Sequence, residues 1–421
     1  MNKRMIAAAL VGSMGGLVFG YDLGALSAVT ESLRAKFHLS PVLFGLTISF
    51  SLWGTVFGSI VAGRIADHVS RKRLIASCSL LYAIAAIGIT LPVQSAWILF
   101  LAMRLLCGVA IGGLTVACPL YLAELAPRDL RGRLVGLFQL QVGVGVVIGF
   151  SVGLLAARVF DTNDLWKWCL GGGFVPAATL FLLLLVSPRG ENLRISPEEQ
   201  EGRISNVSRG REAHSSRERL FQRKYLRPIL LATSIAVFNQ LSGVNVLLLY
   251  MLEILSSAGI SLSLGHTYTV LISCFNLLTT LFGMAFVDKL GRKALLFLGS
   301  AGMAACFITL GLAIPRHFSP FVYVSVLVVY NASFAFSQGT VVWVYLSELF
   351  PPGVRGAGQG YGTSIHWIAS AILISIFPMM RRASSIWTFY FFALMMLLQI
   401  GVVFFWYPET RGTALDSPLE Q

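Results

Sequence analysis

Apolar residues in this chain come in long, nearly unbroken runs. Twelve of them approach or exceed the roughly 20 residues that cross the hydrocarbon core of a bilayer: 5–29, 41–66, 73–92, 96–125, 132–158, 167–187, 226–258, 266–288, 293–314, 319–349, 355–381 and 385–407. The period-two alternation of a barrel strand is missing, so the runs predict α-helices, which satisfy their own backbone in lipid. The expected fold is an all-α membrane protein with twelve transmembrane helices. One sizeable polar segment interrupts it at 188–225, rich in Arg, Glu and Ser. The first run follows Lys3 and Arg4 directly and eleven more come after it, which predicts a retained helix and no cleaved signal peptide.

Composition agrees. Of 421 residues, 56% are hydrophobic and 12% charged, about half the charge of a soluble domain. That excludes a soluble enzyme and a disordered chain. The six Cys (Cys78, Cys107, Cys118, Cys169, Cys274, Cys306) lie within or at the ends of apolar runs, without metal-ligand or redox spacing, and read as buried small hydrophobes. The net charge of +13 is mostly topology signal. Most Lys and Arg, ten of them between 188 and 227, fall in segments that share one side if both termini are cytoplasmic. A nucleic-acid reading would need a soluble basic domain with aromatic platforms, and the sequence has none.

The chain repeats itself. Residues 121–132 read YLAELAPRDLRG and 345–356 read YLSELFPPGVRG; Asp67 and Arg71 recur as Asp288 and Arg292. This predicts two similar six-helix halves: a first bundle at 1–187, a cytoplasmic linker at 188–225, and a second bundle at 226–421 with a short cytoplasmic tail. Parallel six-helix repeats with a site between them are the architecture of rocking secondary transporters. No Walker A sequence is present to suggest an ATP motor. The repeated charges Asp67, Arg71, Glu124, Arg131, Asp288, Arg292, Glu348 and Arg355 fall at inner helix ends. They read either as a latch of crosswise pairs between halves or as topology signals and helix caps.

Two charges are not repeated. Asp22 lies in the first run and Arg104 in the fourth, where the second half has Val246 and Val328. Lone charges at mid-membrane are costly, so these two are expected to pair. An Asp beside an Arg stays ionised, and withdrawing the Arg favours proton uptake. The pair therefore reads as a conformation-dependent proton carrier or as a fixed structural ion pair. The second half carries neutral polar residues instead: Asn239, Gln240 and Asn245 in the seventh run, Asn276 in the eighth, Trp343 in the tenth, His366 and Trp367 in the eleventh. Gln139 and Gln141 lie in the fifth, Gln141 reading as interhelical glue. Amides that both donate and accept, with flat aromatic surface, suit a neutral polyhydroxy molecule.

These residues sit in a set of motifs: FGYDLGALSAV (19–29), GRIADHVSRKR (63–73), RLLCGVAIGG (104–113), PLYLAELAPRDLRGRL (119–134), FQLQVGVGVVIG (138–149), WKWCLGGGFVPA (166–177), FNQLSGVNVLLLY (238–250), DKLGRK (288–293), VVWVYLSELFPPGVRG (341–356) and YPETRG (407–412). Over nearly its whole length the chain thus resembles the sugar porters of the major facilitator superfamily. The resemblance implies sugar contacts at Gln139, Gln240, Asn245, Asn276 and Trp343. It places Asn239 where the family usually has Gln, His366 where it has Asn or Gln, and Trp367 at an aromatic near the site. Asp22 and Arg104 match the acid and Arg of proton-coupled members. Tyr250 matches an outer-gate position, although Leu249 precedes it where a second Tyr is common. The family's PESPR is reduced to SPR at 187–189, Ser70 and His68 replace a usual Gly and basic residue, and Gly339-Thr340 replaces a GP.

The resemblance implies a sugar/proton symporter working by alternating access. A facilitative uniporter, a transporter-like sugar sensor and an exporter of another solute are the other readings. The expected partners are a small sugar, protons and the lipid bilayer, with no nucleic acid, no cofactor and no metal, and a monomer as the working unit. No nucleophile–base arrangement points to an enzyme. Compact loops suggest a multi-pass protein of a bacterial inner membrane. The sequons at Asn206 and Asn331 fall on the cytoplasmic side and within a span, so neither is expected to carry a glycan.

Overall fold

The computed structural model describes residues 3–66, 68–91, 97–127, 130–159, 164–186, 220–316 and 318–409. Among them every regular element is a helix. Eleven helical stretches are long and apolar enough to cross a membrane. The helix Leu262–Leu290 covers the eighth predicted run and completes twelve. Large apolar side chains point outward from these helices, among them Phe57, Ile84, Leu185 and Phe405. In water that surface would be costly; in lipid it is the expected exterior.

In chain order the spans are Lys3–Ala28, Pro41–Ala66, Arg71–Thr90, Trp97–Leu125, Arg131–Val159, the pair Leu165–Gly171 and Phe174–Val186, then Leu226–Leu241 with Val244–Leu249, Leu262–Leu290, Arg292–Ala313, Pro320–Phe336 with Gln338–Glu348, Arg355–Ala383 and Ser385–Trp406. Three runs expected to be continuous are interrupted, the sixth of them by a turn at Gly172 and Gly173. The seventh bends at Gly243, whose φ of +78° is left-handed backbone that favours glycine, and turns again at Tyr250 before Met251–Ser257. The phenol of Tyr330 donates to the Ser242 carbonyl at this break, 2.7 Å away. The tenth breaks at Ser337, where the next residue, Gln338, donates from Nε2 to Gln399 Oε1 on the twelfth span, 2.7 Å away. Broken helices at membrane depth are tolerated where the freed polar groups find partners, and they commonly flank binding sites.

The first span packs on the fifth and the second on the fourth. Glycine makes both contacts possible: a Cβ on Gly20 would run into the Val142 carbonyl, and one on Gly108 into the Ser51 carbonyl. The ninth packs on the twelfth in the second half. The halves meet along two seams, second against eleventh and fifth against eighth. If spans 7–12 repeat spans 1–6, each seam is the image of the other, as a two-fold relation between halves requires.

With twelve crossings Lys3 and Glu409, the first and last described residues, lie on one face, the terminal face; the opposite one is the far face. On the terminal face Glu409, from the YPETRG motif, caps the ninth span. Its carboxylate accepts from the backbone N–H of Arg292 (2.9 Å) and Lys293 (3.0 Å). Residues 187–219 and 410–421 lie outside the described residues, and with them most of the 188–225 linker, the SPR sequence, Asn206 and the tail.

Four of the repeated charges on the terminal face pair within a half. Arg71 bonds Glu124 (Nη2 to Oε1, 3.0 Å), and Arg292 bonds Glu348 (2.8 Å). Each of these two pairs joins two spans of one half. Both are built the same way, from an Arg opening one helix and a Glu closing its neighbour, so each braces the terminal-face corner of its half. Nε of Arg355 donates to the Phe350 carbonyl, 3.3 Å away, steadying the turn between spans. Asp67 and the side chains of Arg131 and Asp288 lie outside the described residues. All six cysteines are free, four of them buried, with Cys78 and Cys274 half-buried.

Candidate functional site

The break in the seventh span places Asn239 and Gln240 before the bend and Asn245 after it. All three line a cavity of about 70 Å³ between the halves. Gln139, Asn276, Trp343 and His366 also line it, as do Phe19, Leu23, Ser273, Asn331 and Phe334. Seven of the eight predicted sugar-contact residues therefore meet in one place.

Their hydrogen bonds fix orientations. Asn245 Nδ2 donates to Gln240 Oε1 (3.0 Å) and to Ser370 Oγ (3.0 Å). That turns the Gln240 amide nitrogen toward His366, 2.7 Å from Nε2. An amide N–H only donates, so the ring nitrogen facing it carries a lone pair and the imidazole is neutral. Across the seam, Trp343 Nε1 donates to Gln139 Oε1, 3.1 Å away. Asn276 Nδ2 donates to the Asn331 carbonyl, 3.2 Å away. The Nδ2 group of Asn239 is buried with no partner, a donor left for whatever enters. The cavity is thus neutral, amide-rich and walled by Phe19, Phe334 and Trp343.

Trp367 departs from expectation. It does not line the cavity. One residue on from His366, it points about 100° away around the helix. Its indole N–H donates to Thr115 Oγ1 (3.3 Å), and its ring meets Phe19 edge-on at 5.1 Å. It supports the wall residue Phe19.

Asp22 and Arg104 pair as expected. Arg104 Nη1 and Nη2 reach Oδ1 and Oδ2 of Asp22 at 2.6 and 2.9 Å, a bidentate fork. Asp22 is 4% exposed and Arg104 1%. Sequence reasoning missed two partners: Tyr82 donates to Asp22 Oδ1 (2.9 Å) and Ser51 accepts from Arg104 Nη2 (2.9 Å). Nε of Arg104 is left without a partner. The cluster stands apart from the cavity and meets it through the first span, where Leu23 follows Asp22 directly and lines the wall.

The far face is closed over the cavity. Tyr250 is 2% exposed and packs on Phe377 (4.9 Å between centroids) and on Phe44 of the other half (6.3 Å). Ser27 of the first span donates to the Leu248 carbonyl, 3.0 Å away. Beyond this lid lies a vestibule of about 280 Å³ lined by Arg34, Glu253, Arg381 and Arg382, in which Arg381 bonds Glu253 at 3.0 Å.

A family model described as "Sugar (and other) transporter" matches residues 8–418. The chain belongs to that family. Among family relatives, the probable metabolite transport protein CsbC of Bacillus subtilis is 30% identical, over 96% of this chain and 92% of its own length. The glucose transporter GlcP of Staphylococcus epidermidis is 29% identical over 99% and 96%. The D-xylose-proton symporter of Escherichia coli is 28% identical over 99% and 95%. The solved structure of the major facilitator superfamily proton:xylose symporter XylE, bound to 6-bromo-6-deoxy-D-glucose, superposes with a TM-score of 0.84 at 26% identity, covering 98% of this chain and 97% of that one. The architecture is therefore the major facilitator fold, in a multi-pass membrane protein.

Proposed function

We propose that the protein is a sugar/proton symporter of a bacterial cell membrane, working as a monomer by alternating access with both termini in the cytoplasm. The observation that carries this is the pairing of a neutral amide and aromatic cavity with a buried, unrepeated Asp22–Arg104 fork set on the span that walls it. Relatives named as glucose and xylose transporters, one of them a proton symporter, support the class.

Sugar hydroxyls exchange for the cavity waters and hydrogen-bond to Gln139, Asn239, Gln240, Asn245 and Asn276. The C–H faces of the ring lie on Phe19 and Trp343. Proton and sugar are coupled through the first span. A proton on Asp22 removes the charge that holds the Arg104 fork, leaving Arg104 with Ser51. The first span then shifts, carrying Phe19 and Leu23 against the sugar. The lid of Tyr250, Phe44 and Phe377 parts when the halves rock. Rocking breaks cross-seam hydrogen bonds such as Ser27–Leu248 and Trp343–Gln139, each worth about 1 kcal/mol in a membrane. A handful of such bonds gives the few-kcal/mol bias that one ligand can reverse. The two domains of the rocker are 1–187 and 226–421, with 188–225 as the connector. The paired charges Arg71–Glu124 and Arg292–Glu348 keep each half rigid at its inner end.

One observation favours facilitated uniport instead: Asp22 already holds three donated hydrogen bonds and does not touch the cavity. A single experiment separates the two readings. The protein is reconstituted in liposomes with a pH dye inside, and glucose, galactose and xylose are added in turn to wild type and Asp22→Asn. Symport predicts sugar-driven acidification that vanishes in the variant while sugar counterflow persists. Sugar flux without acidification in wild type establishes uniport. No flux of any of the three overturns the substrate class.

A further inference from the structure

Below the cavity, toward the terminal face, the eleventh span carries Gln359 and Thr363, both 0% exposed. Neither Oε1 nor Nε2 of Gln359 has a hydrogen-bond partner, and neither does Oγ1 of Thr363. Buried polar groups without partners are rare and costly. Three such atoms one turn apart call for an explanation. Neighbours on the same helix do find partners: Ser364 Oγ bonds Ser59 Oγ across the seam at 2.8 Å, and Tyr361 bonds Thr233 at 2.8 Å.

The position of these atoms supplies the explanation. Gln359, Thr363, His366 and Ser370 follow one another at spacings of four, three and four, which is one face of a helix. His366 lines the central cavity, and Ser370 bonds Asn245, another residue of its wall. Gln359 is seven residues from His366, about 10 Å along the helix axis. Around the helix, Gly362 turns to Leu346 of the tenth span, and Trp367 reaches Thr115 of the fourth. The Gln359 and Thr363 face thus opens between one span of each half, in line with the route from the cavity to the terminal face. With the halves together, that route is shut over it.

We propose that Gln359 and Thr363 form a second, shallower sugar subsite on the terminal side, assembled when that side opens. The amide of Gln359 donates to one hydroxyl of the departing sugar and accepts from another, and the Thr363 hydroxyl takes a third contact. Closing the seam strips these atoms of partners, so the subsite is available only in the terminal-open state. This inference rests on the sugar-transport reading above. It predicts an asymmetry: the subsite strengthens sugar binding from the terminal face and has no effect on binding from the far face.

The test is two-sided transport in liposomes holding the protein in one known orientation. Half-saturation for glucose, galactose and xylose is measured from each face for wild type, Gln359→Leu, Thr363→Val and Thr363→Ser. Expected is a rise of about fivefold in the terminal-face half-saturation for Gln359→Leu and a smaller rise for Thr363→Val, from the loss of hydrogen bonds of ordinary strength. The far-face value stays at wild type, and Thr363→Ser, which keeps the hydroxyl, behaves as wild type. Variants that transport with both half-saturations unchanged, or changed equally, overturn the subsite while leaving the sugar reading standing. A wild-type protein that moves none of the three sugars overturns the reading beneath, and the subsite with it.

Discussion

The buried fork between Asp22 and Arg104 has a cost structure that is not symmetric. Asp22→Asn keeps the shape and leaves Arg104, 1% exposed, with a full charge, a neutral amide and Ser51. A guanidinium cannot shed its proton, so the uncompensated charge stays buried. Breaking a buried pair this way costs about 3–5 kcal/mol. Arg104→Met leaves the opposite charge, but a stranded carboxylate escapes by taking up a proton. Its cost is therefore smaller than that of Asp22→Asn, and it shrinks further as pH falls, because low pH supplies the proton. The double variant strands neither charge and is less destabilised than the sum of the singles, with a coupling of at least about 2 kcal/mol. Equilibrium unfolding in mixed micelles, followed by helical signal at two pH values, gives all four corners of the cycle. Additive single effects would refute the reasoning, and so would an Arg104→Met cost equal to that of Asp22→Asn and flat with pH.

Other consequences follow from the same geometry. Gln240→Leu removes the hub between Asn245 and His366 and is expected to weaken sugar binding at least tenfold, read as the half-saturation of counterflow; an unchanged value would remove Gln240 from the site. Tyr250→Ala deletes the ring packed between Phe44 and Phe377. A cysteine introduced at Leu248 should then react with a water-soluble maleimide from the far face several-fold faster than in the Tyr250 background. Gly20→Val places a side chain against the Val142 carbonyl and should abolish folded, monodisperse protein, whereas Gly401→Ala, with nothing near its Cβ position, should not.

Much of this was legible in the sequence because lipid imposes strict rules. A span must be long, apolar and helical, so apolar runs map directly onto helices, and the eighth run at 266–288 became Leu262–Leu290. A lone charge in lipid needs a partner, so the joint isolation of Asp22 and Arg104 identified the fork. Other features turn on details the pattern does not hold. The seventh-span break depends on the positive φ of Gly243, and 41 glycines offer many candidate positions. Ser51 was not visible as a partner because Ser and Thr hydroxyls in spans mostly bond their own backbone, as Thr47 and Ser79 do here, and Tyr82 because sequence spacing does not say which neighbouring span a phenol reaches. Trp367 was grouped with the sugar-contact residues as a flat aromatic in the same span as His366, yet the helix turns the indole away to Thr115. The repeat located the inner-face charges, but repetition says nothing about whether partners lie within a half or across the seam, and Arg71–Glu124 and Arg292–Glu348 lie within. Asn331 could have been found: an amide in mid-span is as informative there as Asn276, which it meets.

The central claim is that a proton gradient drives the sugar. The most direct measurement is accumulation: liposomes carrying the protein are given equal sugar on both sides and an inward proton gradient, and internal sugar is followed with and without a protonophore. The account predicts that sugar rises above its external concentration, collapses to equality when the protonophore is added, and never rises in Asp22→Asn. Equal sugar on both sides throughout, with normal exchange, would contradict it and leave the Asp22–Arg104 fork as a structural brace.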